Sequence, residues 1–82
     1  MLYCVYILFS KITKQYYTGQ TQDIDNRIIE HNSGETASIK NGIPWVLIWV
    51  KEVESRSHAG LLESKIKKRG AQRFLSDQQS KP

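Results

Sequence analysis

The sequence predicts a small α/β domain, a three-stranded antiparallel sheet flanked by helices, on the strength of three observations. Residues 2–9, LYCVYILF, are a nearly unbroken run of apolar and aromatic strand formers. Trp45-Val46-Leu47-Ile48-Trp49-Val50 is a second such run, and the strongest strand signal in the chain. Between and after these runs, apolar residues recur at spacings of three and four, the helical period. The 82 residues hold one domain, expected over 1–76, with a flexible tail at 77–82.

Taken in order, residues 2–9 make a central strand, Lys11-Ile12-Thr13-Lys14 a turn, and Gln15 to Thr18 the returning strand of a hairpin. Gly19 closes that strand, either to adopt a positive φ or to let another group approach the backbone. From Asp23, which can cap a first turn, Ile24 and Ile28 lie four apart, so a helix of about ten residues should end near Asn32-Ser33-Gly34. Arg27 and His31, also four apart, share one of its faces. Gly34 to Gly42 reads as a polar loop. Pro44 fits only a strand start or edge, and period two puts Trp45 and Trp49 of the next strand on the same side.

Ser55 or Ser57 caps a second helix, in which Ala59, Leu62 and Ile66 form the apolar stripe and Glu63 borders it. Gly60 costs this helix about 1 kcal/mol against alanine, so packing must supply part of its stability. Gly70 ends it, and Ala71 to Leu75 add a short third helical segment. The expected sheet has helices coating one face and a more open second face.

The net charge is +4, and Lys65, Lys67, Lys68, Arg69 and Arg73 fall in a segment with no acidic residue between positions 64 and 76. Such a patch attracts nucleic acid, although lysines near a helix end also serve the helix dipole. Cys4 is the single cysteine, which excludes an intrachain disulfide and a thiolate metal cluster. The chain has neither a run of roughly 18 apolar residues nor a signal-like N-terminus, so a soluble cytoplasmic protein is expected.

In this order the chain resembles the GIY-YIG nuclease superfamily, particularly its small single-domain members and the N-terminal nuclease domain of the bacterial excinuclease. The first tripeptide stands here as Cys4-Val5-Tyr6 and the second as Tyr17-Thr18-Gly19. The segment GQTQDIDNRIIEHNSG carries the helix arginine as Arg27 and the frequent histidine as His31, and LLESKIKK carries the glutamate as Glu63. The resemblance covers about residues 2 to 75 and implies a phosphodiesterase acting on DNA, with RNA also admissible. Tyr6 and Tyr17 would handle the water and its proton, with Tyr6 slightly favoured as the base. Arg27 would bind the scissile phosphate, and Glu63 would hold one Mg²⁺ or Mn²⁺. Lys67, Lys68, Arg69 and Arg73 would contact backbone phosphates. Cys4 replaces the family's opening glycine, Gln20 stands where the excinuclease domain has a lysine, and the family's late asparagine has no secure counterpart.

Each residue also has an ordinary use. Tyr6 and Tyr17 can be core aromatics, Arg27 a surface residue, His31 a charge at a helix end, and Glu63 a partner of Lys67. A noncatalytic nucleic-acid-binding module or a protein-interaction adaptor that retains the fold is therefore the alternative to an endonuclease.

Overall fold

The computed structural model describes residues 2–79. Strands β1 (Tyr3–Ser10) and β2 (Tyr16–Thr21) form the expected hairpin. Strand β3 (Trp45–Val53) pairs antiparallel with the other edge of β1, giving the order β2-β1-β3. Because β1 is central, both of its faces are covered, which is why its sequence is apolar at consecutive positions. Val5 and Ile7 are fully buried on one face, and Tyr6 and Leu8 on the other.

Helix α1 (Ile24–Asn32) starts at Asp23, whose carboxylate accepts the Asn26 amide at 3.1 Å. Helix α2 (Arg56–Arg69) starts at Ser55, whose hydroxyl accepts the His58 amide, and it stops at Gly70. Helix α3 (Ala71–Gln79) is longer than expected, and residues 77–79 of the anticipated tail belong to it. Its extra turn is anchored where Arg69 donates two hydrogen bonds to Asp77, at 2.8 and 3.1 Å. The rest of that tail, 80–82, lies outside the described residues. The loop expected at Gly34 to Gly42 contains a 3₁₀ turn, Ala37–Gly42.

The helices do not share one face of the sheet. Helices α2 and α3 pack Ala59, Ile66 and Phe74 against Val5 and Ile7, while Ile24 and Ile28 of α1, with Ile39, pack against Tyr6 and Leu8. The cause is the apolarity of β1 on both sides, which one helical layer could not bury.

A bulge corrects the reading of the two tryptophans. Ile7 pairs with Trp49 but Leu8 pairs with Leu47, so Ile48 is an extra residue and the period-two rule breaks there. Trp45 therefore packs with Tyr6 and Leu8, whereas Trp49 meets Phe74 edge-on at 5.1 Å on the opposite face.

Asn32, the last residue of α1, ties that helix to the sheet. Its Nδ2 donates to the Trp45 carbonyl at 3.0 Å, and its Oδ1 accepts the Trp45 amide at 2.6 Å. A side-chain amide supplies both the donor and the acceptor that these two backbone groups require. Asn32→Ala should therefore cost about 1–3 kcal/mol through unmet polar groups. At this chain length that lowers Tm by roughly 5 to 20 °C, and thermal unfolding with an unchanged midpoint would contradict the assignment.

Candidate functional site

The site is built around the hydroxyl of Tyr6. Tyr6 and Gly19 are directly paired across β1 and β2, so their side chains would share one face. A Cβ on Gly19 would lie 2.6 Å from Tyr6 Oη and 2.8 Å from Cζ, both far inside contact distance. Gly19 therefore lies within strand β2, where it admits the phenol of Tyr6, and does not end the strand in a turn. Of the two uses open in the sequence, close approach is the one realised.

Tyr6 and His31 are each 1% exposed, and Tyr6 Oη lies 2.9 Å from His31 Nε2. His31 Nδ1 is buried and has no partner among the described residues. If Tyr6 donates to Nε2, one buried donor, Nδ1–H, is left over. With the other tautomer the tyrosine proton and Nδ1 are both left over, so the count assigns the proton to Nδ1.

Both groups resist charge. Burial, then Tyr17, pushes the Tyr6 phenol well above its ordinary range; Arg27 opposes that shift while Glu63 and Glu30 add to it. Burial, then Arg27, holds His31 below its usual value, with Glu30 opposing. At neutral pH the pair is a neutral phenol bonded to a neutral imidazole.

Around this pair, Tyr17 is half-buried, its ring 5.0 Å from that of His31 and 6.3 Å from that of Tyr6. Arg27 is partly exposed and meets Glu30 at 3.5 Å. Glu63 belongs to α2, on the other face, and reaches the β2 edge by way of Gln20. Its Oε1 accepts the Gln20 amide at 3.0 Å and its Oε2 pairs with Lys67 at 2.7 Å. Arg27 and Glu63 thus belong to helices on opposite faces of the sheet, and their charges push the Tyr6 phenol in opposite directions. Four cavities, one between α2 and α3, one at Glu63 and two beside Tyr17, do not bring Tyr6, Tyr17, Arg27 and Glu63 together in their linings.

Of the basic residues, Lys67 is held by Glu63 and Arg69 by Asp77, while Lys68 and Arg73 are exposed. Gln20 has a part that the sequence does not announce. It cannot replace a lysine's charge, but it orients Glu63. The available signal is its place next to Gly19 in an alternating strand, which puts it on the face of α2.

The residues that would hold the implied divalent cation are those around Glu63. The carboxylate opens on a depression of about 530 Å³ that Gln20, Lys67 and Lys68 also line. Lys67 is 59% exposed in its side chain, and an i,i+4 pair of this kind is worth only about 0.2–0.5 kcal/mol, so it yields to a cation. Gln20 donates its amide N–H to Glu63 here; with that amide turned it would offer a second hard oxygen, a donor type suited to Mg²⁺ with its retained waters. No group of three His, Cys, Asp or Glu side chains that could hold a metal occurs among the described residues.

Among known proteins, the sequence model of the GIY-YIG catalytic domain matches residues 2–74. The UPF0213 protein VNG_2274C of Halobacterium salinarum is 40% identical over 53 residues, covering 63% of this chain and 69% of that protein. The solution structure of the UPF0213 protein BH0048 from Bacillus halodurans superposes with a TM-score of 0.59 at 32% identity, covering 100% of this chain and 89% of that one. No helix among the described residues is long and apolar enough to cross a membrane.

The depressed pKa of His31 makes a testable link to stability. The folded chain refuses a proton that the unfolded chain accepts near its ordinary pKa of 6.5. The stability contribution is therefore complete above that pH and is lost as pH falls below it, toward the lower folded value. Denaturant unfolding at about pH 7.5 and about pH 5.5, on either side of the ordinary histidine value, should show wild type losing more stability on acidification than His31→Gln. Equal losses would refute the assignment.

Proposed function

We propose that this chain, which belongs to the GIY-YIG catalytic-domain family, binds a nucleic-acid backbone at the β2 edge and hydrolyses a phosphodiester bond there. The carrying observation is the match to the GIY-YIG catalytic domain over residues 2–74, together with the Tyr6–His31 hydrogen bond of 2.9 Å seated against Gly19 and flanked by the Tyr17 ring.

Attack of water on a phosphodiester increases negative charge on the non-bridging oxygens. The Arg27 guanidinium, charged at any ordinary pH, can donate two hydrogen bonds to them. Glu30 competes only through a partly exposed i,i+3 contact, which a phosphate can displace. When bound at Glu63, Mg²⁺ or Mn²⁺ supplies positive charge that stabilises the departing oxygen.

The proton of the attacking water needs an acceptor. Outright ionisation of Tyr6 is unfavourable in its buried setting, so the sequence-based lean toward a Tyr6 phenolate is revised in this proposal. Tyr6 can accept the water's proton as it passes its own to His31 Nε2 along the existing hydrogen bond. The transfer leaves a neutral phenol and a transient imidazolium, which its buried setting disfavours and which therefore gives up the proton readily once the bond is cleaved. Tyr17, the half-buried phenol, orients the water from the solvent side. Lys68 and Arg73 contribute affinity for backbone phosphates without base preference.

A second reading is favoured by one observation. Both Glu63 oxygens are already engaged, by Gln20 and by Lys67. A noncatalytic nucleic-acid-binding module would keep that arrangement.

One panel separates the readings. Labelled duplex, nicked, flap and branched DNA, and RNA, are incubated with Mg²⁺, Mn²⁺ or chelator, using wild type, Arg27→Ala and Glu63→Gln. Hydrolysis predicts metal-dependent cleavage that falls by about 10²- to 10³-fold in Arg27→Ala and is lost in Glu63→Gln, which retains binding. Salt-sensitive binding without cleavage would establish the module instead, and undiminished cleavage in both variants would reject the assigned roles.

A further inference from the structure

A second recess adjoins Tyr17, between the β1–β2 turn and the 3₁₀ turn. It has a volume of about 300 Å³, and its walls include Gln15, Tyr16, Tyr17, Ser38, Asn41 and Trp45. None of its nine lining residues is charged. The depression at Glu63 differs, because a carboxylate and two lysines line it.

The chemistry of these walls restricts the occupant. Aromatic surfaces suit a flat ring, and the amides of Gln15 and Asn41 with the Ser38 hydroxyl offer both donors and acceptors. An anion would find no cation here. A purely aliphatic group would leave the amides unmet.

The inner wall is fixed before anything binds. Trp45 is 5% exposed, its indole N–H donates to the Ile39 carbonyl at 2.8 Å, and its backbone is held on both sides by Asn32. Gly42 lies so close to the indole that a Cβ there would collide with the ring. A wall that cannot relax loses little freedom when a ligand arrives.

Position supplies the remaining constraint. Tyr17 lines this recess while its ring also packs on His31 and Tyr6. The recess thus shares Tyr17 with the Tyr6–His31 pair, where the proposed hydrolysis is placed, and a phosphate and its base belong to one nucleotide. We propose that this recess receives a single unstacked nucleobase of the bound strand, so that the domain selects single-stranded, flapped or otherwise unpaired positions. The proposal rests on the nucleic-acid reading above and adds the form of strand that the site prefers. A base held in a duplex is stacked and paired, and cannot enter without being extruded.

Binding is measured by fluorescence anisotropy in chelator, with four labelled probes. These are a single-stranded DNA, the RNA of the same sequence, the DNA with an abasic central tract, and a duplex. The comparison protein is Ser38→Leu/Asn41→Leu, in which two exposed residues outside the phosphate site fill the recess and lose their polar groups. Wild type should bind the natural single strand roughly tenfold more tightly than the abasic one. In the double variant that preference should vanish while duplex affinity stays unchanged. Tight binding of the single-stranded DNA, of the RNA or of both supports the base as the recognised group, provided the abasic strand binds more weakly. Equal binding of natural and abasic strands by wild type overturns the proposal, and needs no variant to do so. Retention of the preference in a double variant that keeps its far-ultraviolet dichroism overturns it as well, while the nucleic-acid reading survives. Failure of wild type to bind any probe removes that reading and this proposal with it.

Discussion

The approach of the Tyr6 phenol to Gly19 is the constraint on which the rest of the site depends. A side chain at position 19 would occupy the place of the hydroxyl, so the phenol can take this position only with glycine there. With the phenol seated, its oxygen meets His31 Nε2 and the α1 helix acquires a fixed register against the sheet. The two groups settle each other's protonation. Burial disfavours charge on both, and the hydrogen bond between them is best satisfied when both are neutral.

The central strand also explains how so small a chain assembles a site from two helical layers. Apolar side chains on both faces of β1 draw α1 to one side and α2 with α3 to the other. Arg27 and Glu63 end on opposite faces for that reason, and the edge strand β2 carries the sheet's contact with Glu63. Gln20 makes that contact, because alternation along β2 turns Gly19 toward Tyr6 and Gln20 toward Glu63. The positive surface is narrower than the count of basic residues suggests. Lys67 and Arg69 are committed to carboxylates of the chain itself, so Lys68 and Arg73 carry more of any attraction for phosphate.

Much of this is legible in the amino-acid sequence alone. The hairpin, the caps at Asp23 and Ser55, and the long apolar strand all follow from local chemistry, which a sequence displays directly. The sharing of one helical face by Arg27 and His31 is equally readable, although their different burial is not. What escapes depends on partners distant in sequence. The bulge at Ile48 arises from pairing with β1, and no local pattern marks it, so period two wrongly assigns Trp45 and Trp49 to one face. The second helical layer follows from β1 being central, a property of strand order. Gln20 looks like a lost positive charge because its contact with Glu63 spans two elements of the fold.

Everything at the site turns on Tyr6 holding a neutral His31 in a single tautomer. Long-range proton–nitrogen correlation spectra of the imidazole at neutral pH test this directly, with Tyr6→Phe as the comparison. Wild type should show an uncharged ring, protonated at Nδ1 and accepting a hydrogen bond at Nε2, and the variant should lose that tautomer preference. An imidazolium at neutral pH, or a proton on Nε2 in wild type, would contradict it.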